Sequence, residues 1–350
     1  MKIPSEQKAI REVAARLAEL VGVDLSGIRI EKDRNAPQIT GIIFADSFTF
    51  IIEWKGSGLA ATVDSAVKQV QGYAAEIDGA IPVVAVPFMG DTGRERCAEA
   101  DVAWVDLSGN ARIFAPGLRI LVEGRPNQFK RRGRPSSAFA PKSSRITRWL
   151  LMHPYEPMTQ REIARATDTD EGYTSKIVSR LEHDGLIIRD GAGLIKPRDP
   201  GLLLDAWREV YDLSKHQIIR GHVAARSGDV LLKQLSNALE KASAEFAATG
   251  LAAAWLLDHF AGFRTTTLYL ADDTLSILID DVSFREEERG ANVWLILPND
   301  DGVFYGASRV DGVRCVHPVQ AYLDLEAHPE RAAEAAKKLR AAHLNWKADA

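Results

Sequence analysis

Apolar residues recur at helical spacing near the start of the chain, where Ile10, Val13, Leu17 and Leu20 fall on one face over residues 5–20. Short runs of β character follow: GIRIE, ITGIIFA and FTFIIEW. The stretch from Ala60 to Ile77 reads as a helix, IPVVAVPF as a buried strand and TGRERCAEA as another helix. VAWVDL, ARIFA and LRILVEG close the segment, which predicts a mixed α/β domain over residues 1–127. Within it, VDLSGNARI places Asp106, Ser108, Gly109 and Asn110 in a turn between strands.

Residues 128–142 break this pattern with a Pro- and Ser-containing connector. Residues 143–200 read as a compact, mostly helical segment. Residues 201–350 return to α/β character, with helices around 202–213 and 229–258 and strands at TTTLYLA, NVWLILP and VRCVHP. A last amphipathic helix runs from Pro329 to about Leu344. The acidic stretches DDTLSILIDD and FREEERG read as solvated loops, and Trp207 with Tyr211 as core or interface.

Charge changes the picture at one place. The chain has 44 Lys and Arg against 48 Asp and Glu, a net charge of −4. From Arg125 to Arg148 there are eight basic residues and no acidic one, so the remainder stands at −12. A local basic stripe on an acidic protein fits one local polyanion contact rather than a generally basic coat. Two cysteines, Cys97 and Cys315, make no disulfide framework and point to a reducing cytoplasm. The first residues lack the apolar core of a secretory signal, and no apolar run reaches membrane-spanning length.

The clearest motif is MTQREIARATDTDEGYTSKIVSRLEHDGLIIRDGAGLIKP. Thr159 and Glu162 have capping-box spacing, QREIARAT buries Ile163 and Ala166, and DTD supplies a tight turn. The next helix turns Ile177, Val178 and Leu181 inward and stops at Gly185, and LIIRDGAGLIKP follows as two short strands around a glycine tip. SSRITRWLLMHP supplies a supporting helix upstream. This order is that of a winged helix-turn-helix, whose second helix enters the major groove of duplex DNA. Tyr173, Thr174, Ser175, Lys176, Ser179 and Arg180 are the expected outward residues of that helix, with Arg161 and Arg189 holding the backbone. A winged helix used only for protein contacts is the alternative.

The connector core KRRGRPSS resembles an AT-hook. Gly133 allows close approach, and Lys130, Arg131, Arg132 and Arg134 carry charge suited to a narrow A·T-rich minor groove. A basic tether that touches phosphates without preference is the other reading.

FIIEWKGSG places Glu53 and Lys55 two apart on a strand, hence on one face. With Gln69 and Tyr73 downstream they resemble the PD-(D/E)XK nuclease superfamily, in its RecB-like branch. That resemblance implies a restriction-endonuclease-like fold and Mg²⁺-dependent DNA cleavage, with Glu53 and Lys55 catalytic. The family's usual Asp is replaced by Gln38 after Pro37. Asp33 or Asp46 is then the substitute ligand beside Glu53, with Glu6 or Glu12 assisting, and a fold with lost or altered catalysis is favoured. An ordinary ion pair between Glu53 and Lys55 is the plain alternative.

The order VDLSGNARIFAPGLRILVEGRPNQF, winged helix, FAATGLAAAWL, GANVWLILPND and VRCVHPVQAYLDL resembles AbiEi-type antitoxins of type IV toxin–antitoxin systems over about residues 80–340. The resemblance implies an operator-binding regulator of its own operon, with a cognate toxin as possible partner. Operators read by such helices are usually inverted repeats, so a homodimer is expected, and no cofactor is expected beside a cytoplasmic location. The simplest members of that group begin with the winged helix, whereas this chain begins with the nuclease-like domain. The expected architecture is therefore α/β multidomain: a restriction-endonuclease-like domain over 1–127, a basic AT-hook-like linker over 128–142, a winged helix-turn-helix over 143–200 and a C-terminal α/β domain over 201–350.

Overall fold

Ala9, Val13, Ala14 and Leu17 recur at helical spacing because they are the buried face of helix α1, Glu6–Val21, which stops at Gly22 in the left-handed conformation. Ile10 and Leu20 lie half-buried at the rim of the same cluster. The computed structural model describes residues 3–32, 39–129, 137–259, 262–271, 275–325 and 328–346. The chain divides into two compact units, Met1–Arg134 and Pro135–Ala350. Among the described residues it is a mixed α/β protein with 12 α-helices and two large mixed sheets.

After α1, the first unit runs through β1 (Ile28–Glu31), β2 (Gly41–Ala45), β3 (Phe48–Trp54), α2 (Ala60–Ala74), β4 (Ala80–Val86) and α3 (Asp91–Glu99). It ends with β5 (Ala103–Asp106), β6 (Ala111–Ala115) and β7 (Leu118–Val122). The seven strands lie side by side in chain order. β3, β4 and β5 are parallel, joined through α2 and α3, and the outer strands are antiparallel hairpins. Alternation along the strands separates two cores. Phe50, Ile52, Trp54, Val83 and Ala85 face α1, while Val84, Val86 and Trp104 face Val63, Val67 and Val70 of α2. The predicted strands and helices of this region are all present, α2 ending three residues earlier than the pattern suggests.

The second unit opens with α4 (Pro141–Met152), α5 (Gln160–Ala166), α6 (Glu171–His183), β8 (Ile187–Arg189) and β9 (Ile195–Pro197). It continues with α7 (Pro200–Arg208), β10 (Gln217–His222), α8 (Gly228–Lys241), β11 (Phe246–Thr249), α9 (Gly250–Asp258), β12 (Thr266–Leu270) and α10 (Leu275–Val282). It closes with β13 (Arg285–Glu286), β14 (Val293–Leu297), β15 (Ser308–Val310), β16 (Val313–Cys315), α11 (Pro318–Leu325) and α12 (Ala332–His343). Its large sheet has the order β13-β10-β14-β12-β11-β16-β15, with β12/β14 and β11/β16 parallel.

Two expectations are corrected by the fold. The single helix expected over 229–258 is two helices around a central strand. Phe246–Thr249 is entirely buried and pairs with β12 and β16, and a short apolar run has no periodicity that separates strand from helix. Gly250 restarts the helix at φ 57°, where a Cβ would sit 2.4 Å from His328 Nε2, so only glycine fits. The described part of the acidic stretch DDTLSILIDD is helical rather than a loop, lying within α10. Leu278 is buried within α10, and FREEERG contributes edge strand β13. No helix among the described residues is long and apolar enough to cross a membrane.

Candidate nucleic-acid interface

The segment from α4 to β9 is fixed by local chemistry that the sequence already carries. Thr159 accepts from the Glu162 backbone N–H at 3.2 Å, and Glu162 accepts from the Thr159 N–H at 2.7 Å, a reciprocal cap on α5. The Thr159 backbone N–H, then its hydroxyl, both donating to the Glu162 carboxylate, hold it below the usual carboxylate range. Asp168 takes φ 49° in the turn after α5, and Asp170 caps α6 by accepting from Tyr173 N–H at 2.7 Å. Ile163, Ile177, Val178 and Leu181 are buried between the helices. Gly185 ends α6 at φ 71°. β8 and β9 form an antiparallel hairpin, and Met158 bridges to Ile195 as a third short rung.

Outward residues divide into three groups. Lys176 and Ser179 are exposed on α6 and Ser175 is half-buried. Arg161, Arg180 and Arg189 are each beside a carboxylate: Glu171 at 3.5 Å, Asp184 at 2.9 Å and Glu182 at 3.0 Å. Such exposed pairs contribute about 0–1 kcal/mol, too little to hold an arginine away from a phosphate. Tyr173 is half-buried, with its hydroxyl 2.6 Å from Ser143 Oγ and its ring under Lys142 Nζ at 5.5 Å. It joins α6 to the start of α4.

Thr174 is a correction. It is fully buried, donates to Asp170 O at 2.9 Å, and lies 2.8 Å from Thr169 Oγ1, which is 2.9 Å from Thr167 Oγ1. The three hydroxyls clamp the turn between α5 and α6 from inside, so Thr174 is not an outward contact. Lys130, Arg131, Arg132 and Arg134 lie outside the described residues. The chain that follows them, Ser137–Phe139, forms a 3-10 turn packed against α4 and α6. Phe139 stacks on Trp207 at 6.4 Å, and Thr147 donates to Ala138 O at 3.2 Å. The end of the basic connector is therefore anchored beside α6.

Sequence reading missed how α4 is held. Arg145 donates to both oxygens of Asp300, at 2.8 and 3.0 Å, and lies 3.6 Å from Asp168. Arg148, 2 % exposed, crosses into the unit's interior, where its guanidinium lies over Trp207 at 5.0 Å and Nη2 donates to Gln320 Oε1 at 2.6 Å. Its Nε and Nη1 are buried without a hydrogen-bond partner. Gln320 Nε2 passes on to Asp324 at 2.8 Å, which also accepts from Tyr269 at 3.0 Å and from Tyr211 and Thr249. Burial pushes the Asp324 carboxyl up to about 6 against those donors. Burial, then the Arg148 charge, drives His216 and His317 down to about 4. The available signal was Arg148 itself, a cation on the apolar face of RITRWLL, four residues after buried Ser144 and three before buried Leu151.

In the first unit, Glu53 and Lys55 do meet, with Lys55 Nζ 2.7 Å from Glu53 Oε1. Glu53 Oε2 accepts from Thr40 Oγ1 at 3.0 Å, and Thr40 Oγ1 accepts from Trp54 N–H at 2.9 Å. Asp46 is a second correction. It occupies the hairpin tip between β2 and β3 at φ 53°, and Glu53 lies at the other end of β3. Seven positions of extended chain separate them by roughly 20 Å, so one ion does not touch both. Glu6 and Glu12 pair with Lys32 and Lys8, each at 3.5 Å. Asp33 and Gln38 lie outside the described residues. Among the described residues no three His, Cys, Asp or Glu side chains stand together as metal ligands, and the described partners of the Glu53 carboxylate are Thr40 and Lys55. Asp106, Ser108 and Asn110 are buried and bonded to one another's loops: Asp106 accepts from Asn110 N–H at 2.8 Å and from Met89 N–H at 3.1 Å. They pin the β5–β6 turn.

No protein-family model, curated protein or solved structure matches this chain.

Proposed function

We propose that the protein is a DNA-binding regulator in which α4 to β9 is a winged helix-turn-helix and α6 is the helix that reads the major groove. One observation carries the reading: α6 buries Ile177, Val178 and Leu181 while Lys176 and Ser179 stay exposed after a capped, clamped turn. Short hydroxyls and cations on that face suit hydrogen bonds to phosphates and base edges. The basic connector extends the same contact along an adjacent groove. The AbiEi-type resemblance makes an autorepressing antitoxin that acts as a homodimer on an inverted repeat the specific form of this reading, with a cognate toxin as its protein partner.

The test is fluorescence anisotropy with duplex DNA from the protein's own promoter and with unrelated duplex. Promoter-selective, salt-sensitive binding that Lys176→Ala weakens supports the reading. Equal affinity for every polyanion, or none for duplex DNA, overturns it. Metal-dependent cleavage is the weaker reading, since Glu53 is engaged by Thr40 and Lys55 at both oxygens.

A further inference from the structure

We infer that the outer face of the β6–β7 hairpin is a second contact for the DNA backbone. Ile113, Leu118 and Ile120 turn toward the α1 core. The alternate positions, Arg112, Phe114, Arg119 and Leu121, therefore share the opposite face. Register makes them one patch, since Arg112 pairs with Leu121 and Phe114 with Arg119. Both guanidinium carbons lie over the Phe114 ring, at 4.3 Å for Arg112 and 4.5 Å for Arg119. Leu121 is 57 % exposed.

Neither arginine has a carboxylate within ion-pair distance among the described residues, whereas nearby Arg94 reaches Asp91 and Glu123. Two cations over one ring lie within about 9 Å of each other, inside a Debye length at ordinary salt, so they repel unless an anion joins them. The ring supports both guanidinium groups, Arg119 exposed and Arg112 half-buried, which lowers the ordering cost of presenting them to phosphates. A polyanion is the occupant that matches this charge, and in sequence the patch stands just ahead of the +8 segment from Arg125 to Arg148. DNA is the polyanion because the inference rests on the regulator reading above.

The experiment measures DNA affinity of the full-length chain against salt, for wild type, Arg112→Gln/Arg119→Gln, Arg119→Gln alone and the double Lys variant Arg112→Lys/Arg119→Lys. Removing one phosphate-binding cation lowers the slope of log K against log salt by about 0.9. The slope for the double Gln variant is expected to fall by about 1.8, equally on promoter and unrelated duplex, and that for the double Lys variant by less than half as much. Arg119→Gln, at an exposed position, gives a fall of about 0.9 should the double Gln variant fail to fold. Unchanged slopes in folded variants overturn the inference and leave the regulator reading intact. Unchanged slopes with altered oligomeric state in light scattering reassign the patch to protein contact. A wild type that does not bind duplex DNA removes both readings together.

Discussion

Arg148 of α4 donates to Gln320 of α11 at 2.6 Å, and both side chains are buried. This bond joins the segment from α4 to β9 to the α/β core that follows it, and Gln320 relays it to Asp324 at 2.8 Å. Arg148→Ala leaves Gln320 and the Asp324 hub without their cation. The expected cost is about 3 kcal/mol, read as a lower urea midpoint for the second unit's transition. Arg148→Met, which restores packing against Trp207, is expected to recover part of the loss. An unchanged midpoint in Arg148→Ala would show that the buried bond contributes nothing.

Asp324 gives the same core a pH dependence. Its folded-state carboxyl titrates near 6, above the ordinary value of 3.8. A raised carboxyl means that the folded state binds the proton more tightly than the unfolded chain. The favourable contribution is present below about pH 4 and is lost as pH rises through about 6. Relative to Asp324→Asn, wild type is expected to gain up to about 3 kcal/mol between about pH 7 and about pH 4. His216 and His317 titrate in both proteins and cancel in the difference. A flat difference across that range refutes the prediction.

Thr174 and Lys176 are two residues apart and separate folding from binding. Thr174→Val removes the buried hydroxyl that meets Asp170 O and Thr169. It is expected to lower stability by about 1–2 kcal/mol while the salt slope of DNA binding stays at the wild-type value. Lys176→Ala is expected to do the reverse, with an unchanged melting temperature and a slope reduced by about 0.9. Equal effects of both substitutions on the slope would place Thr174 at the DNA surface after all.

Glu53→Ala strands the Lys55 ammonium, whose Nζ stands 2.7 Å from Glu53, and frees the Thr40 hydroxyl. The expected result is a loss of about 3 kcal/mol in thermal or urea unfolding of the first unit. Millimolar Mg²⁺ is expected to leave the wild-type melting temperature unchanged. A Mg²⁺-dependent rise that Glu53→Ala abolishes would instead mark a bound ion.

Much of the local structure was legible along the chain. Caps and turns are short-range chemistry, so Thr159, Glu162, Asp170 and Gly185 fix the ends of α5 and α6 wherever those helices pack. The strand alternation of FTFIIEW assigns Phe50 and Ile52 to one core and Ile51 to another without reference to distant residues. The capped helix pair, the basic connector and the Glu53–Lys55 contact thus belong to the sequence.

The tertiary structure decided what local rules leave open. FAAT became a central strand because β12 and β16 were there to pair with it, and a four-residue apolar run has no period of its own. Thr174 went inside because Thr167 and Thr169 reach it only when the turn closes. Asp46 parted from Glu53 because the hairpin places them at opposite ends of one strand. Arg148 and Asp324, 176 positions apart in the numbering, meet through Gln320 because buried polar groups must find partners wherever the packed chain supplies them.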